Sequence, residues 1–319
     1  MGESNQQTVP NILIRLAGLL GTEVRNRRLE IPEKFGKGYC AGFVFNEYIR
    51  MIISNYELSE DIIVENPNIN ASKRTIFFKF QNIFPKTEIA LTEKQPEAMP
   101  SVLIATASIT DAIISVHTNI AVVNIEVDAD YLSGLFDLPE KSAVLHSLLQ
   151  NTQPLLFEQM IYPSLQKIVD EIITEQVDET FELFFLRVKA EELICKLLME
   201  LEKRDEKYLY SLNIHDIQTI YRVKEQILEH LNAPPHIKEL AVYANMSPSK
   251  LQHLFKQIFG NSIFSYYQEF RMKEAARLLK EEKLSVSEVG YKLGFTNLSH
   301  FSRVFNEHIG MKPKQYSRS

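Results

Sequence analysis

Gly294-Phe-Thr-Asn-Leu-Ser-His-Phe-Ser-Arg-Val-Phe305 is the stretch that decides the fold of the C-terminal region. Its larger apolar residues recur at helical spacing and would form one buried face: Phe301, Val304 and Phe305. Gly294 precedes this helix where a turn needs unusual backbone angles, which glycine tolerates. The pattern is typical of the turn and second helix of a helix-turn-helix, which requires a short first helix upstream.

The same pattern occurs earlier in the chain, so the region contains an internal duplication. Ile237-Lys-Glu-Leu-Ala-Val-Tyr-Ala-Asn-Met-Ser247 aligns with Val286-Ser-Glu-Val-Gly-Tyr-Lys-Leu-Gly-Phe-Thr296. Each copy has an inward-facing apolar residue, a small residue at a close helix crossing and a turn residue: Leu240, Ala241 and Asn245; Val289, Gly290 and Gly294. After a one-residue shift the alignment continues to Tyr266 and Tyr316. Two helix-turn-helix units are therefore predicted.

Each predicted second helix begins at a capping-type residue, which is Ser247 in the first copy and Thr296 or Asn297 in the second. The outward faces carry side chains that can hydrogen-bond base edges or phosphates, and they hold almost no carboxylates. The candidate DNA-binding residues are Ser249, Lys250, Gln252, His253 and Lys256 in the first copy, and Asn297, Ser299, His300 and Arg303 in the second. Double-stranded DNA is therefore the predicted partner.

A helix predicted over about Ile263 to Lys280 connects the two copies. It contains no proline or glycine, and at about 1.5 Å rise per residue it would span roughly 27 Å. Successive major-groove faces on one side of DNA lie roughly 34 Å apart. One chain is therefore predicted to read two adjacent major grooves.

Taken together, these segments resemble the AraC/XylS family of bacterial transcriptional regulators over about Ile217 to Ser317. The resemblance rests on Met246–Lys256 with Gly260, Arg271–Leu279, Gly294–Phe305, Gly310, Pro313 and Tyr316. The sequence departs from the family pattern at Gly290, Asn306, Lys312 and Ser317, where Ala, Lys, Ser or Thr, and Arg are usual. The resemblance implies a sequence-specific regulator with an N-terminal sensor, a homodimer and, for an activator, contact with RNA polymerase.

Charge is distributed unevenly along the 319 residues. From Asp216 onward there are 15 Lys and Arg against 10 Asp and Glu, a net charge of +5. The whole chain has 35 Lys and Arg and 41 Asp and Glu, so the residues before Asp216 have 20 and 31, a net charge of −11. The DNA-facing surface is therefore expected to be C-terminal. The chain has no apolar run near the roughly 20 residues that cross a bilayer and no basic residue before Pro10, so a cytoplasmic protein without a membrane partner is predicted.

The region before about Leu138 is typical of an antiparallel β sandwich or barrel. Short β-branched or aromatic runs are separated by turn clusters such as Asn66–Asn68 and Gln95-Pro96; the runs are Tyr48–Ile53, Thr75–Phe80, Val102–Ala107 and Ala121–Val127. The family resemblance implies a cupin-like barrel here. Within one run, Phe77, Phe78 and Phe80 are either core residues or the lining of a ligand pocket.

Two amphipathic helices are predicted after this region. One follows Pro163, with Leu165, Ile168, Val169, Ile172 and Ile173 on one face. The second, from about Thr180 to Arg204, is too widely apolar for a single core-facing stripe. Its extra apolar surface packs within its own domain or forms a dimer interface. The predicted domains are a sensor over 1–150, these helices over 151–207, and a double helix-turn-helix over 208–319.

Other functions have weak support in the sequence. The two cysteines, Cys40 and Cys195, are expected to be buried small hydrophobes, and His117 and His146 lie too far apart for a predicted metal site. We therefore predict no enzyme, catalytic residue, cofactor or metal, and leave effector-binding residues unassigned. The alternatives are a DNA-alkyl repair enzyme, whose metal-activated thiolate would need several zinc-ligating cysteines, and an adaptor with a degenerate DNA domain.

Overall fold

The computed structural model describes residues 8–60, 62–65, 74–84, 100–106, 113–116, 119–136, 142–204 and 209–318. The chain divides into two compact units, Met1–Asn213 and Ile214–Ser319. In the described residues, the first unit combines a sheet with helices and the second is helical. None of the helices in these ranges is both long and apolar enough to cross a bilayer.

Antiparallel strands form the framework of the first unit. Seven of them make one sheet, in the order β1-β2-β3-β8-β5-β6-β9: β1 (Arg28–Glu30), β2 (Gly36–Val44), β3 (Ile49–Leu58), β5 (Thr75–Gln81), β6 (Ser101–Thr106), β8 (Asn119–Asp128) and β9 (Leu156–Met160). Two further strands, β4 (Ile62–Glu65) and β7 (Ile113–Val116), pair separately. The four predicted runs correspond to β3, β5, β6 and β8. The predicted turn clusters at 66–68 and 95–96 lie outside the described residues.

The sheet is open, so the expected closed cupin-like barrel is not confirmed. Among the described strands, the edge strand β1 pairs only with β2, and the other edge strand, β9, pairs only with β6. Among the described residues, helices pack against the main apolar face, which includes Phe78 and Phe80. Because helices bury that face, its burial does not require the sheet to close.

In the parts of the first unit that the structure describes, five helices accompany the sheet: α1 (Asn11–Leu20), α2 (Ala129–Ser133), α3 (Ala143–Gln150), α4 (Pro163–Thr174) and α5 (Glu179–Glu202). The inner faces of α2 to α5 share the main core with the sheet, and α1 covers part of the other face with Cys40, Tyr56 and Leu58. The predicted start of α4 at Pro163 is confirmed, as is its buried apolar stripe. Phe78 and Phe80 are core residues, whereas Phe77 lies on the opposite face, half-buried.

Helix α5 has two apolar faces, as its composition predicts. Its inner face is fully buried and joins the main core: Leu186, Ala190, Leu193, Ile194, Leu197, Leu198 and Leu201. Its outer face is exposed: Phe181, Phe184, Val188, Cys195 and Met199. The prediction that both cysteines are buried is therefore right for Cys40 and wrong for Cys195, which points away from the core.

The second unit contains seven helices in its described residues: α6 (Ile214–Glu229), α7 (Ile237–Tyr243), α8 (Pro248–Phe259), α9 (Ile263–Lys280), α10 (Val286–Lys292), α11 (Leu298–Ile309) and α12 (Pro313–Tyr316). The connecting helix α9 has the predicted bounds. It is buried on several sides, because it contacts α8 as well as α10 and α11.

The duplication is longer than the two helix-turn-helix segments. Tyr221-Arg-Val-Lys-Glu225 in α6 aligns with Phe270-Arg-Met-Lys-Glu274 in α9, in the same register that aligns α7 with α10. Each repeat is therefore a long helix followed by a helix-turn-helix: α6-α7-α8 and α9-α10-α11. This alignment pairs Arg222 with Arg271.

Candidate nucleic-acid interface

Side-chain caps fix where the two second helices begin. Ser247 caps α8, because its hydroxyl accepts a hydrogen bond from the backbone N–H three residues later at 3.2 Å. Asn297 caps α11, because its amide oxygen accepts from the N–H groups of Ser299 at 2.9 Å and His300 at 3.1 Å. The cap of the second copy is thus Asn297 and not the alternative, Thr296.

The two turns adopt the unusual backbone angles that their residues predict. Asn245 has φ of 50° and Gly294 has φ of 76°. At Gly294 a Cβ atom would lie 1.9 Å from the carbonyl oxygen of Asn232. Only glycine fits this turn, since it combines positive φ with a close approach of two backbone segments.

Both second helices bury the faces that the apolar spacing predicts. In α8 these residues are Leu251, Leu254 and Phe255, and in α11 they are Phe301, Val304 and Phe305. Burial on one side leaves the opposite side of each helix available to a partner. That side carries the candidate DNA-binding residues.

The outward face of α8 is polar, but one of its charges is already paired. Ser249, Lys250, Gln252 and Lys256 are exposed, and His253 is half-buried. The Lys250 ammonium lies 2.9 Å from a carboxylate oxygen of Asp216, in the first turn of α6. That carboxylate is almost buried, so it holds the lysine side chain in one direction.

The outward face of α11 presents Ser299, His300 and Arg303 to solvent. The amide oxygen of Asn297 is occupied by the cap, which leaves its NH₂ group to face a partner. The His300 ring stands edge-on to Phe295, with ring centroids 5.7 Å apart. Exposed Glu307 lies one turn beyond Arg303, so the face ends in a negative charge.

Two charged residues outside the predicted set support these faces, namely Asp216 and Arg271. Asp216 is buried near the start of α8, and Arg271 is buried beside the turn before α11. Asp216 is 34 residues from its partner, so no local spacing reveals it. Arg271 has a visible signal, which is the repeated Arg-x-Lys-Glu pattern in α6 and α9.

The net charge of the second unit and the positions of possible metal ligands both indicate which kind of partner this interface suits. Residues 216–319 carry the net +5, which suits a polyanionic partner. Across the described residues, no group of three or more His, Cys, Asp or Glu side chains could hold a metal ion. His146 is exposed and hydrogen-bonded to Gln150 at 2.7 Å, and His117 lies outside the described ranges.

Comparison with known proteins assigns the C-terminal unit to a class. Residues 240–319 match the family described as "Helix-turn-helix domain". This part of the chain is therefore a helix-turn-helix domain. It is of the AraC/XylS type, as the paired motifs predict, because its relatives include the arabinose operon regulatory protein of Escherichia coli K12, 35% identical over 80 residues.

The relatives named here match about a third of this chain or less. The regulator GbdR of Pseudomonas aeruginosa UCBPP-PA14 is 34% identical over 108 residues, which are 34% of this chain and 29% of GbdR. The E. coli regulator is matched over 25% of this chain and 27% of its own length. The chain thus spans less than a third of either relative. The solved DNA-binding domain of AdpA, in complex with a target DNA, is 27% identical over 31% of this chain and 90% of its own, with a TM-score of 0.30.

Proposed function

We propose that this protein is a sequence-specific DNA-binding transcriptional regulator of the bacterial cytoplasm. The observation that carries the proposal is the pair of capped second helices, α8 and α11, whose polar faces are exposed on one positively charged unit. Each helix would enter one of two adjacent major grooves. For an activator, RNA polymerase is a further partner.

The side chains divide into base-reading and phosphate-binding groups. The donors and acceptors needed to read base edges lie on Arg303 and His300 of α11 and on Gln252 and His253 of α8. The groups suited to hydrogen-bond phosphates or sugars are Lys256, Ser249, Ser299 and the NH₂ group of Asn297. Lys250 could bind either a base edge or a phosphate, with its side chain pointing in the direction set by Asp216.

Binding to promoter DNA tests the proposal directly. We expect the protein to bind a duplex from its own promoter region with nanomolar-range affinity, a steep loss of affinity with salt, and a preference over unrelated duplexes. Arg303→Ala should weaken specific binding by about 1–3 kcal/mol. Arg25→Ala, at an exposed arginine of the first unit, is the matched control and should bind normally. Equal affinity for unrelated duplexes at physiological salt would contradict the proposal.

A homodimer formed through α5 is part of the proposal. The exposed apolar residues of its outer face follow intervals of three, four, seven and four residues, the spacing of a helix-pairing stripe: Phe181, Phe184, Val188, Cys195 and Met199. A second copy of the same helix offers a complementary surface of the same kind. Two copies would also present four recognition helices to a two-fold-related operator.

An effector bound by the first unit is also part of the proposal, and Lys79 suggests its charge. Strand register places a row of side chains on the face of the sheet opposite the main core: Asn124 on β8, Lys79 on β5, Leu103 on β6 and Glu158 on β9. Burial lowers the pKa of the Lys79 ammonium. In the described part of the chain this ammonium has no ion-pair partner, so an anionic ligand bound beside it would be electrostatically favourable.

The neighbours of Lys79 favour an anion with an apolar body. Phe77, Leu103, Val122 and Leu156 lie on the same face, half-buried or buried. We expect a straight-chain carboxylate such as hexanoate to bind, and its neutral amide to bind at least tenfold more weakly because it lacks the charge. Lys79→Met should abolish the difference, and Lys37→Met, at an exposed lysine on β2, should retain it. Equal binding of acid and amide by the unsubstituted protein would contradict an anionic effector.

An enzyme that uses a cysteine thiolate is the weaker alternative. Burial raises the pKa of the Cys40 thiol to about 12, so the thiol stays protonated at neutral pH. Cys195 is exposed on α5. The two cysteines therefore sit in environments unlike the clustered thiolates that a metal-activated alkyl acceptor needs.

A further inference from the structure

The second recognition helix is connected to α9 through a buried arginine. The Arg271 guanidinium donates two hydrogen bonds to the carbonyl oxygen of Leu293, at 2.9 and 2.5 Å. Leu293 is the C-cap residue of α10, so these bonds act at the helix-turn-helix turn itself. A third bond, at 3.2 Å, runs to Gln268 one turn back in α9. Arg271 is 7% exposed and is therefore largely withdrawn from solvent.

The same guanidinium supports an aromatic ring that contacts the reading face. Its Cζ atom lies 3.7 Å from the centroid of the Phe295 ring, a stacking distance. Phe295 contacts Phe301 on the buried side of α11, with ring centroids 5.2 Å apart, and stands edge-on to His300. A continuous set of contacts therefore runs from Arg271 through Phe295 to His300.

The first repeat holds the equivalent position in a different way. The alignment pairs His300 with Lys250, and Lys250 is fixed by the Asp216 carboxylate from α6. Arg222, the counterpart of Arg271, is exposed and donates to Thr219 at 3.0 Å. Within residues 209–318 it makes no contact with the first turn comparable to that of Arg271. The counterpart of Phe295 is Met246, which offers no aromatic ring for a guanidinium to stack on.

We propose that Arg271 is a positioning residue for sequence recognition by α11: through Leu293 and Phe295 it fixes the turn and orients His300 toward the base it reads. The inference rests on the proposed function, because it assigns His300 to base recognition. Arg271 itself would touch no DNA. Its removal would change which sequence is preferred at one position, in addition to how tightly DNA is bound.

A double-mutant cycle tests this role. The probe is the duplex that the wild-type protein enriches from a randomised library of about 40 bp, long enough for half-sites one helical turn apart. Arg271→Met and His300→Ala should each weaken binding by about tenfold and relax preference at the same base positions. The double variant should lose little beyond His300→Ala, since both changes remove one contact. Arg222→Met is the matched control and should leave the base preference unchanged.

In the binding experiment, an unchanged base preference would overturn the inference. The inference is wrong if Arg271→Met keeps the wild-type base preference, whether it weakens binding equally for all sequences or does not weaken it. If Arg271→Met does not fold, Arg271→Lys and Phe295→Leu serve instead. Arg271→Lys keeps the positive charge but removes the bidentate donor, and Phe295→Leu removes only the aromatic ring. Each of these two variants should relax the base preference at the positions that His300 reads. If both variants keep the wild-type base preference, the inference is wrong.

A measurement without DNA separates this inference from the proposed function. The amides of Gly294 and Phe295 donate to Tyr291 and Gly290, both at 2.9 Å, and so report on the turn. Their hydrogen exchange should accelerate in Arg271→Met and stay unchanged in Arg222→Met. Unchanged exchange in Arg271→Met contradicts the positioning role whether or not DNA is bound. Failure of the wild-type protein to select any sequence contradicts the proposed function and, with it, the role of His300.

Discussion

Single residues in this protein show how burial changes chemistry. Cys40 and Cys195 are the same residue type, yet Cys40 packs under α1 and Cys195 lies on the outer face of α5. The composition of the chain cannot distinguish them, because exposure depends on which side of an element the core occupies. Lys79 and Arg271 are likewise ordinary in the sequence and become informative only through their surroundings.

Cysteine modification provides a residue-scale prediction. Under conditions that dissociate the proposed α5 dimer, we expect iodoacetamide at neutral pH to modify Cys195 and to leave Cys40 unmodified, because Cys40 is buried and burial raises the pKa of its thiol to about 12. Mass spectrometry of the digested protein should find one adduct, in the α5 peptide. Equal modification of both cysteines in the folded protein would contradict the packing of α1 over Cys40.

Lys79→Met should stabilise the protein against unfolding, by on the order of 1 kcal/mol near pH 7, because it removes a desolvated charge. Folding lowers the pKa of Lys79, so the wild type gains stability as pH rises from the folded pKa toward the unfolded value of about 10.4. The advantage of Lys79→Met should therefore shrink over that interval. Urea denaturation at several pH values measures this, and a constant difference would contradict it.

At the scale of elements, helices with one clear apolar stripe are predictable and those without it are not. The spacing in α4 and α9 predicts their position, and the capping residues predict the start of α8. Helix α1 is missed because Ile12–Leu20 is apolar at nearly every position and lacks a contrasting polar face. The open edges of the sheet are missed as well, since closure depends on pairing between strands far apart in sequence.

Two glycines with positive φ give a matched pair of predictions. Gly294→Ala should destabilise the second unit by at least about 2 kcal/mol, because positive φ and the Asn232 carbonyl both oppose a Cβ atom. Gly310→Ala should cost only about 1 kcal/mol, because φ is similar, at 84°, but the space is open. Thermal denaturation of both variants is the measurement, and equal costs would show that steric contact adds nothing.

At the scale of the whole molecule, the sequence predicts more about the second unit than about the first. The second unit repeats a pattern, so each copy tests the interpretation of the other. The first unit has no repeat and takes its form from long-range strand pairing. The candidate DNA-binding positions follow from helical periodicity alone, whereas the residues that hold them, Asp216 and Arg271, come from other helices.

The proposed dimer makes a prediction at this scale. Phe184→Glu should shift the protein toward a monomer, because Phe184 is 70% exposed on the apolar face and a carboxylate at this position would be buried in the interface. Phe264→Glu is the control, since Phe264 is similarly exposed on α9. Sedimentation equilibrium in the absence of DNA distinguishes them. A wild-type protein that is monomeric at micromolar concentration would rule out this interface.

The two-faced construction of α5 also bears on how such a protein could diverge after gene duplication. The inner face is committed to the core, so its residues can change little without loss of stability. The outer face carries no such constraint until a partner covers it. If α5 pairs as proposed, a duplicated copy could stop mixing with its parent by changing Phe181, Phe184 and Val188 while keeping its fold. The insulation of one regulatory circuit from another would then depend on one side of a single helix.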